Sequence, residues 1–329
     1  MALASCSTTG KSPQKHPFVS ISAVGDLMFD RGVGEAVWKN GSHWAMEKVR
    51  DDIASADIAF ANLESPISKK SAMLEKPIGF RSPPGTAGLL ADAGFDVVSL
   101  ANNHSVDCGR DGLLETMAFL GKSGLHWCGA GKDRREAEKA CIIKVNGLRV
   151  AFVAFSQFPE GSRKMDKVPT IALAEPGTVS RVIAGAAKKA DIVVASFHWG
   201  EEYAPIPTGE SRTLAREAAD AGAALILGHH PHVVQGLETI PRRHGRPALV
   251  AWSLGNFIFD QKETRTREGL VLHCRMDRGG VESARLAPVR IDGLRPRPAD
   301  PAETKATIST VATLSPAGLI NPDGSLNLP

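Results

Sequence analysis

The chain is short of cysteine, of long apolar runs and of any excess of one charge, and each shortage excludes something. Five cysteines in 329 residues, none in a C-x-x-C pair, argue against a zinc ribbon or a thioredoxin-like centre. No apolar stretch nears the roughly 18 residues of a membrane-spanning helix, the longest being strand-length runs such as 248–254. Lys plus Arg is 39 against 36 Asp plus Glu, and a net charge of +3 makes no electrostatic case for a nucleic-acid partner. No P-loop or dinucleotide fingerprint surrounds Gly109 or Gly255, so both read as turn residues. What is present is ordinary globular composition, 43% apolar and 23% charged, in a chain long enough to bury a large core.

The tetrapeptide Leu3-Ala4-Ser5-Cys6 resembles a bacterial lipobox, although the basic start and apolar stretch of a working signal do not precede it. The Ser/Thr/Gly/Pro/Lys-rich segment 7–17 reads as a flexible tether. Two expectations stay open: an extracytoplasmic protein anchored through a lipidated Cys6, or a cytoplasmic one with an incidental match. Export would let Cys108 pair with Cys128, while Cys141 and Cys274 read as buried thiols. The remaining organisation is a main domain over 18–298 and a C-terminal helix and tail over 299–329.

Between 18 and 260 the sequence repeatedly runs from a short apolar strand into a polar cluster and then usually into a helix. Strands are expected at 18–24, 57–61, 95–101, 148–155, 192–197, 224–227 and 248–254, with 141–145 pairing with 148–155 through the turn at Asn146-Gly147. Alternation of strands and helices at this spacing predicts an α/β fold with much parallel pairing. After Asp260, segments 269–275 and 281–289 predict a hairpin closing a sheet edge, and a proline-rich stretch at 294–301 leads into a helix at 302–314.

Chemistry concentrates at the strand ends. Asp26, Glu64, Asn103, His104, His198, His230 and His232 each follow an apolar strand, and ligands of such sheets gather beyond the strands' carboxyl ends. Carboxylate, amide oxygen and imidazole together suit Mn, Fe, Zn or Ni better than calcium. Extended backbone at His230-Pro231-His232 would point both imidazoles the same way. His16, His43, His126, His244 and His273 fall outside the pattern and read as surface or packing residues.

The segments Gly25-Asp26-Leu27-Met28, Asn62-Leu63-Glu64, Ala101-Asn102-Asn103-His104, His198-Trp199-Gly200-Glu201-Glu202-Tyr203, His230-Pro231-His232-Val233 and Ser253-Leu254-Gly255-Asn256-Phe257 resemble the CapA-type poly-gamma-glutamate capsule biosynthesis family. That family belongs to the calcineurin-like metallophosphatase superfamily. The resemblance spans about 18–298 and implies a four-layer α/β/β/α sandwich with a metal-binding edge. It implies Asp26 and His232 on a first metal, Glu64 bridging, and Asn103, His198 and His230 on a second. It also implies His104 as the catalytic residue that stabilises the transition state or protonates a leaving group. Met28 departs from the pattern, standing where superfamily phosphatases carry a histidine. That implies one tight ion, with a second held weakly or not at all.

Arg31 reads as a residue for pairing a carboxylate or phosphate, and Glu202, Tyr203 and Asn256 as residues shaping a substrate pocket at the same edge. Three functions remain open at this stage. The first is metal-dependent hydrolysis of an anionic polymer or phosphoester in capsule synthesis or export. The second is a non-catalytic accessory role, holding an anionic chain for a membrane synthase. The third is an intracellular metallophosphatase.

Overall fold

The computed structural model of the chain describes residues 17–69, 76–159 and 168–329. The lipobox-like tetrapeptide and residues 7–16 of the tether lie outside them. One sheet runs Arg295–Pro298, Gly280–Asp292, Glu268–Asp277, Val19–Leu27, Ile58–Leu63, Val97–Ser99 and His126–Cys128, with Asn256–Ile258 also pairing with Val19–Leu27. Its pairing is parallel from Val19–Leu27 to His126–Cys128 and antiparallel on the other side. The second sheet runs Leu237–Ile240, Ala248–Ala251, Leu225–His229, Ile192–His198, Leu148–Ser156 and Cys141–Val145, parallel within and antiparallel at both edges.

Strands buried on both faces need apolar residues at every position rather than at alternate ones. In Leu225–His229, Leu225 and Leu227 face the opposite sheet while Ile226 faces the outer helices. Three apolar clusters therefore separate four layers. Leu90, Leu113 and Met117 seat the helices Thr86–Asp92 and Gly109–Lys122 on the first sheet. Phe60 and Phe152 stack between the sheets at 5.7 Å, and Ile183 and Leu214 seat Thr178–Ala187 and Gly209–Ala221 on the second. Burying each such side chain is worth about 1.5–3 kcal/mol. The architecture is an α/β/β/α sandwich.

Two local expectations are corrected. The hairpin after Asp260 does not close an edge, since Glu268–Asp277 pairs with Val19–Leu27 inside the sheet. The outermost strand is Arg295–Pro298, from the proline-rich stretch, and an edge tolerates proline because an outward N–H is not needed there. The Cys108–Cys128 disulfide is not formed: both thiols are free and buried, one facing Phe80 O at 3.7 Å and the other Val98 O at 3.8 Å. The C-terminal helix Pro301–Thr313 starts at an Asp300–Glu303 capping box, worth about 1 kcal/mol, and places Ile308 and Val311 in the inter-sheet cluster.

Candidate metal centre

Strand register builds the centre. Asn256, Asp26 and Asn62 lie side by side in the first sheet, and Ser156, His198 and His229 in the second. Glu64 follows Ile58–Leu63 at once, its amide donating to Leu27 O at 2.8 Å. Gly25 makes the crowding tolerable, because a Cβ there would stand 1.8 Å from Gly255 O. The histidine loop differs from the extended reading: His230 and His232 have φ of 97° and 59°. Left-handed backbone at non-glycine residues costs energy and clusters at functional sites. It turns the two rings to within 5.9 Å of each other, and His198 stands 4.8 Å from His230.

The structure brings Asp26, Glu64, Asn103, His198, His230 and His232 together. Asn103 Oδ1 lies 2.9 Å from His198 Nε2, and Glu64 Oε1 lies 3.5 Å from His232 Nε2 and 3.9 Å from His198 Nε2. Donors about 2.0–2.2 Å from a shared ion are separated by such distances. Glu64, His198 and His230 form one ligand group and Asp26, Glu64 and His232 another, the potential donor atoms of each lying within 4.8 Å of one another. Both Glu64 oxygens are buried with no hydrogen-bond partner. A fully buried carboxylate with no hydrogen bond is costly, and a divalent cation is the partner that this donor set fits.

The electrostatics agree. Burial pushes the Glu64 carboxyl well above its ordinary range, and the charges of Asp26, Glu202 and Asp107 add to that against His232. Burial also pushes Asp26 up, but hydrogen bonds and charge from His229 and His232 outweigh it and hold Asp26 well below the usual range. Burial, then repulsion by His232, lowers His230 to about 3, and burial holds His198 well below the ordinary imidazole value. Burial works against a charged His232 too, yet Glu64 and Asp26 raise it to about 9. In the metal-free protein, protonated His232 thus carries positive charge that a cation would otherwise supply.

His104 stands beside this group. Its Nδ1 is 2.8 Å from Asp107 Oδ2, which also accepts the Phe80 amide at 2.7 Å, while Lys76 Nζ lies 2.5 Å from Asp107 Oδ1. A carboxylate oxygen that already accepts the Phe80 amide is an acceptor toward the ring too, so Nδ1 carries the hydrogen and Nε2 is left for other partners. Burial lowers the His104 pKa, against Asp107. Phe80 packs on the His104 ring at 4.1 Å, and the Arg31 guanidinium sits 4.7 Å above Phe80 while pairing with Asp260.

Several participants stand at the same strand ends without being among the candidate ligands. Asn62 Nδ2 donates to Asp26 Oδ1 at 2.9 Å, and Asn102 Nδ2 donates to Asn62 Oδ1 at 3.1 Å and Leu63 O at 2.8 Å. His229 Nδ1 lies 3.3 Å from Asp26 Oδ1. Asp107 three residues after His104, and the amides beside Glu64 and Asn103, were the available clues. Met28 is fully buried in the apolar cluster under the helices, and its sulfur accepts the Asp30 amide at 3.0 Å.

Two sheets with buried carboxylates and imidazoles at their shared edge define a metallophosphatase-like sandwich with residues suited to a divalent metal. The NAD nucleotidase of Haemophilus influenzae has this fold: it aligns with a TM-score of 0.50 and 12% identity over 92% of this chain and 64% of its own. The chain itself belongs to the family described as bacterial capsule synthesis protein PGA_cap, whose profile matches residues 20–261. It is 33% identical over 284 residues to the PGA biosynthesis protein CapA of Bacillus subtilis, covering 85% of this chain and 73% of that one. It is 31% identical over 303 residues to the capsule biosynthesis protein CapA of Bacillus anthracis, covering 88% and 72%.

Proposed function

We propose that the chain serves the synthesis or export of a poly-gamma-glutamate-type anionic polymer through a metal-dependent, phosphoesterase-like site. The observation that carries the reading is Glu64, buried, without a hydrogen bond and shared by two ligand groups. Family membership and the relatives' names support the polymer. Glu64, Asn103, His198 and His230 would hold a tight ion, and Asp26, Glu64 and His232 a weaker one, of Mn, Fe, Zn or Ni. When bound, the ion supplies Lewis-acid polarisation of a phosphoryl or carbonyl oxygen. His104 would act as the acid in its imidazolium form, in which Nε2 also carries a proton: Nε2 gives that proton to the leaving group and the ring returns to the neutral Nδ1–H form, which Asp107 orients. Arg31 exchanges Asp260 for a substrate carboxylate or phosphate, which suits a guanidinium at a partly exposed position.

A second reading, a non-catalytic holder of the polymer for a membrane synthase, is favoured by Met28, which leaves the first ligand group short of an imidazole. Elemental analysis of purified protein, coupled to turnover of bis(p-nitrophenyl) phosphate and binding of poly-gamma-glutamate, decides between them. Bound divalent metal with turnover supports the enzyme; metal and polymer binding with no turnover supports the holder. Protein that binds neither metal nor polymer refutes both.

We also propose that the protein works outside the cytoplasm, anchored through a lipidated Cys6, because the lipobox-like tetrapeptide precedes a tether-like segment and several acyl chains anchor stably where one does not. Expressed with its native upstream region, wild type is expected in the membrane fraction and Cys6→Ala in the soluble fraction. Soluble wild type would overturn this.

A further inference from the structure

The carboxylate of Glu202 belongs to a third ligand group, within 4.8 Å of His230 and His232 donor atoms. The backbone holds it there: the Tyr203 amide donates to Pro231 O at 2.8 Å, tying the loop after Trp199 to the histidine loop. Tyr203 sits at φ 64° and Gly200 at φ 82°, left-handed backbone on either side of Glu202.

A hydrogen-bond path then runs from His232 to the residue beside Glu202. Asn256 Nδ2 donates to Gln261 Oε1 at 2.8 Å and to Thr266 O at 2.9 Å, so its Oδ1 faces His232 Nδ1 at 2.9 Å and that nitrogen must carry the hydrogen. The His232 Nε2 lone pair is thereby left for a metal. Gln261 Nε2 donates to Tyr203 Oη at 3.2 Å, and burial, then the neighbouring Glu202 charge, raises the Tyr203 phenol. The path leaves one side of the His232 ring and ends at the phenol of Tyr203, the residue next to Glu202 in the chain. His230, 5% exposed, contributes a buried Nδ1 with no hydrogen-bond partner.

We propose that Glu202 is a metal ligand, replacing on the ion nearest His232 the donor that Met28 withholds, and that Tyr203, Gln261 and Asn256 are its positioning residues. The Met28 sulfur is committed to the Asp30 amide within an apolar cluster, so the missing donor has to come from the solvent side, where Glu202 lies. Three residues read from sequence as pocket-shaping thus act as one support for the metal. The inference rests on the centre binding metal at all, as proposed above.

The test uses purified full-length chain titrated with Mn²⁺ alone, read by calorimetry and by elemental analysis after dialysis. Wild type is expected to bind two ions of unequal affinity. Glu202→Gln should weaken the weaker ion by about 10–100-fold and leave the tight one in place, and Tyr203→Phe should weaken the same ion less without changing saturating stoichiometry. Both positions are exposed, so metal-free melting temperatures should match wild type. Unchanged affinities and stoichiometry in Glu202→Gln overturn the proposal. His198→Ala keeps the two readings apart: it should lose the tight ion whether or not Glu202 binds, and a wild type that binds no Mn²⁺ removes the metal reading and this one with it.

Discussion

Replacing Glu64 with Gln is expected to strip purified protein of nearly all divalent metal, by about tenfold or more in ions retained after dialysis, while the protein stays folded. Glu64 is shared by both inner ligand groups, so one substitution touches both positions. The amide keeps the shape of the carboxylate but loses its charge, and a neutral oxygen is a much poorer partner for a hard or borderline cation. Stability should move the other way in metal-free protein. There the wild-type carboxyl is fully buried, makes no hydrogen bond and is pushed well above its ordinary pKa by burial, with Asp26, Glu202 and Asp107 adding to that against the pull of His232, so removing its charge relieves a net cost. A metal-free Glu64→Gln that melts at or above wild type yet binds little metal fits the centre described. Unchanged metal content would show that Glu64 has another role.

His104→Ala is expected to lower turnover of a phosphodiester by about 10²–10⁴-fold, the range for loss of a positioned proton donor, with metal stoichiometry kept. His104 makes its side-chain bond to Asp107 and packs on Phe80, and it belongs to none of the three ligand groups among the described residues. Asp107→Asn should reduce turnover less and shift its pH profile, because the ring loses the carboxylate that fixes its tautomer and stabilises its charged form. Loss of metal in His104→Ala would make the residue a ligand rather than a proton donor. Full activity in that variant would remove it from the chemistry.

The strand ends carrying Asp26, Glu64, Asn103, His198, His230 and His232 were legible from sequence because apolar runs buried on both faces break sharply into polar residues where a parallel strand leaves the sheet. Met28 was legible only through the family resemblance, which sets a histidine at its place. The sequence could not show that His230 and His232 meet through left-handed backbone, since local pattern carries no φ for a non-glycine residue. Nor could it show that the Glu268–Asp277 strand lies inside its sheet while Arg295–Pro298 takes the edge, because strand order is set by which faces pack, not by order in the chain. The circuit through Asn256, Gln261 and Tyr203 depends on residues up to 58 positions apart meeting side by side. By itself the sequence determined the layered α/β class and the residue types of the candidate ligand set. The tertiary structure decided which donors face one another, because only folding brings two separate sheet edges within bonding distance.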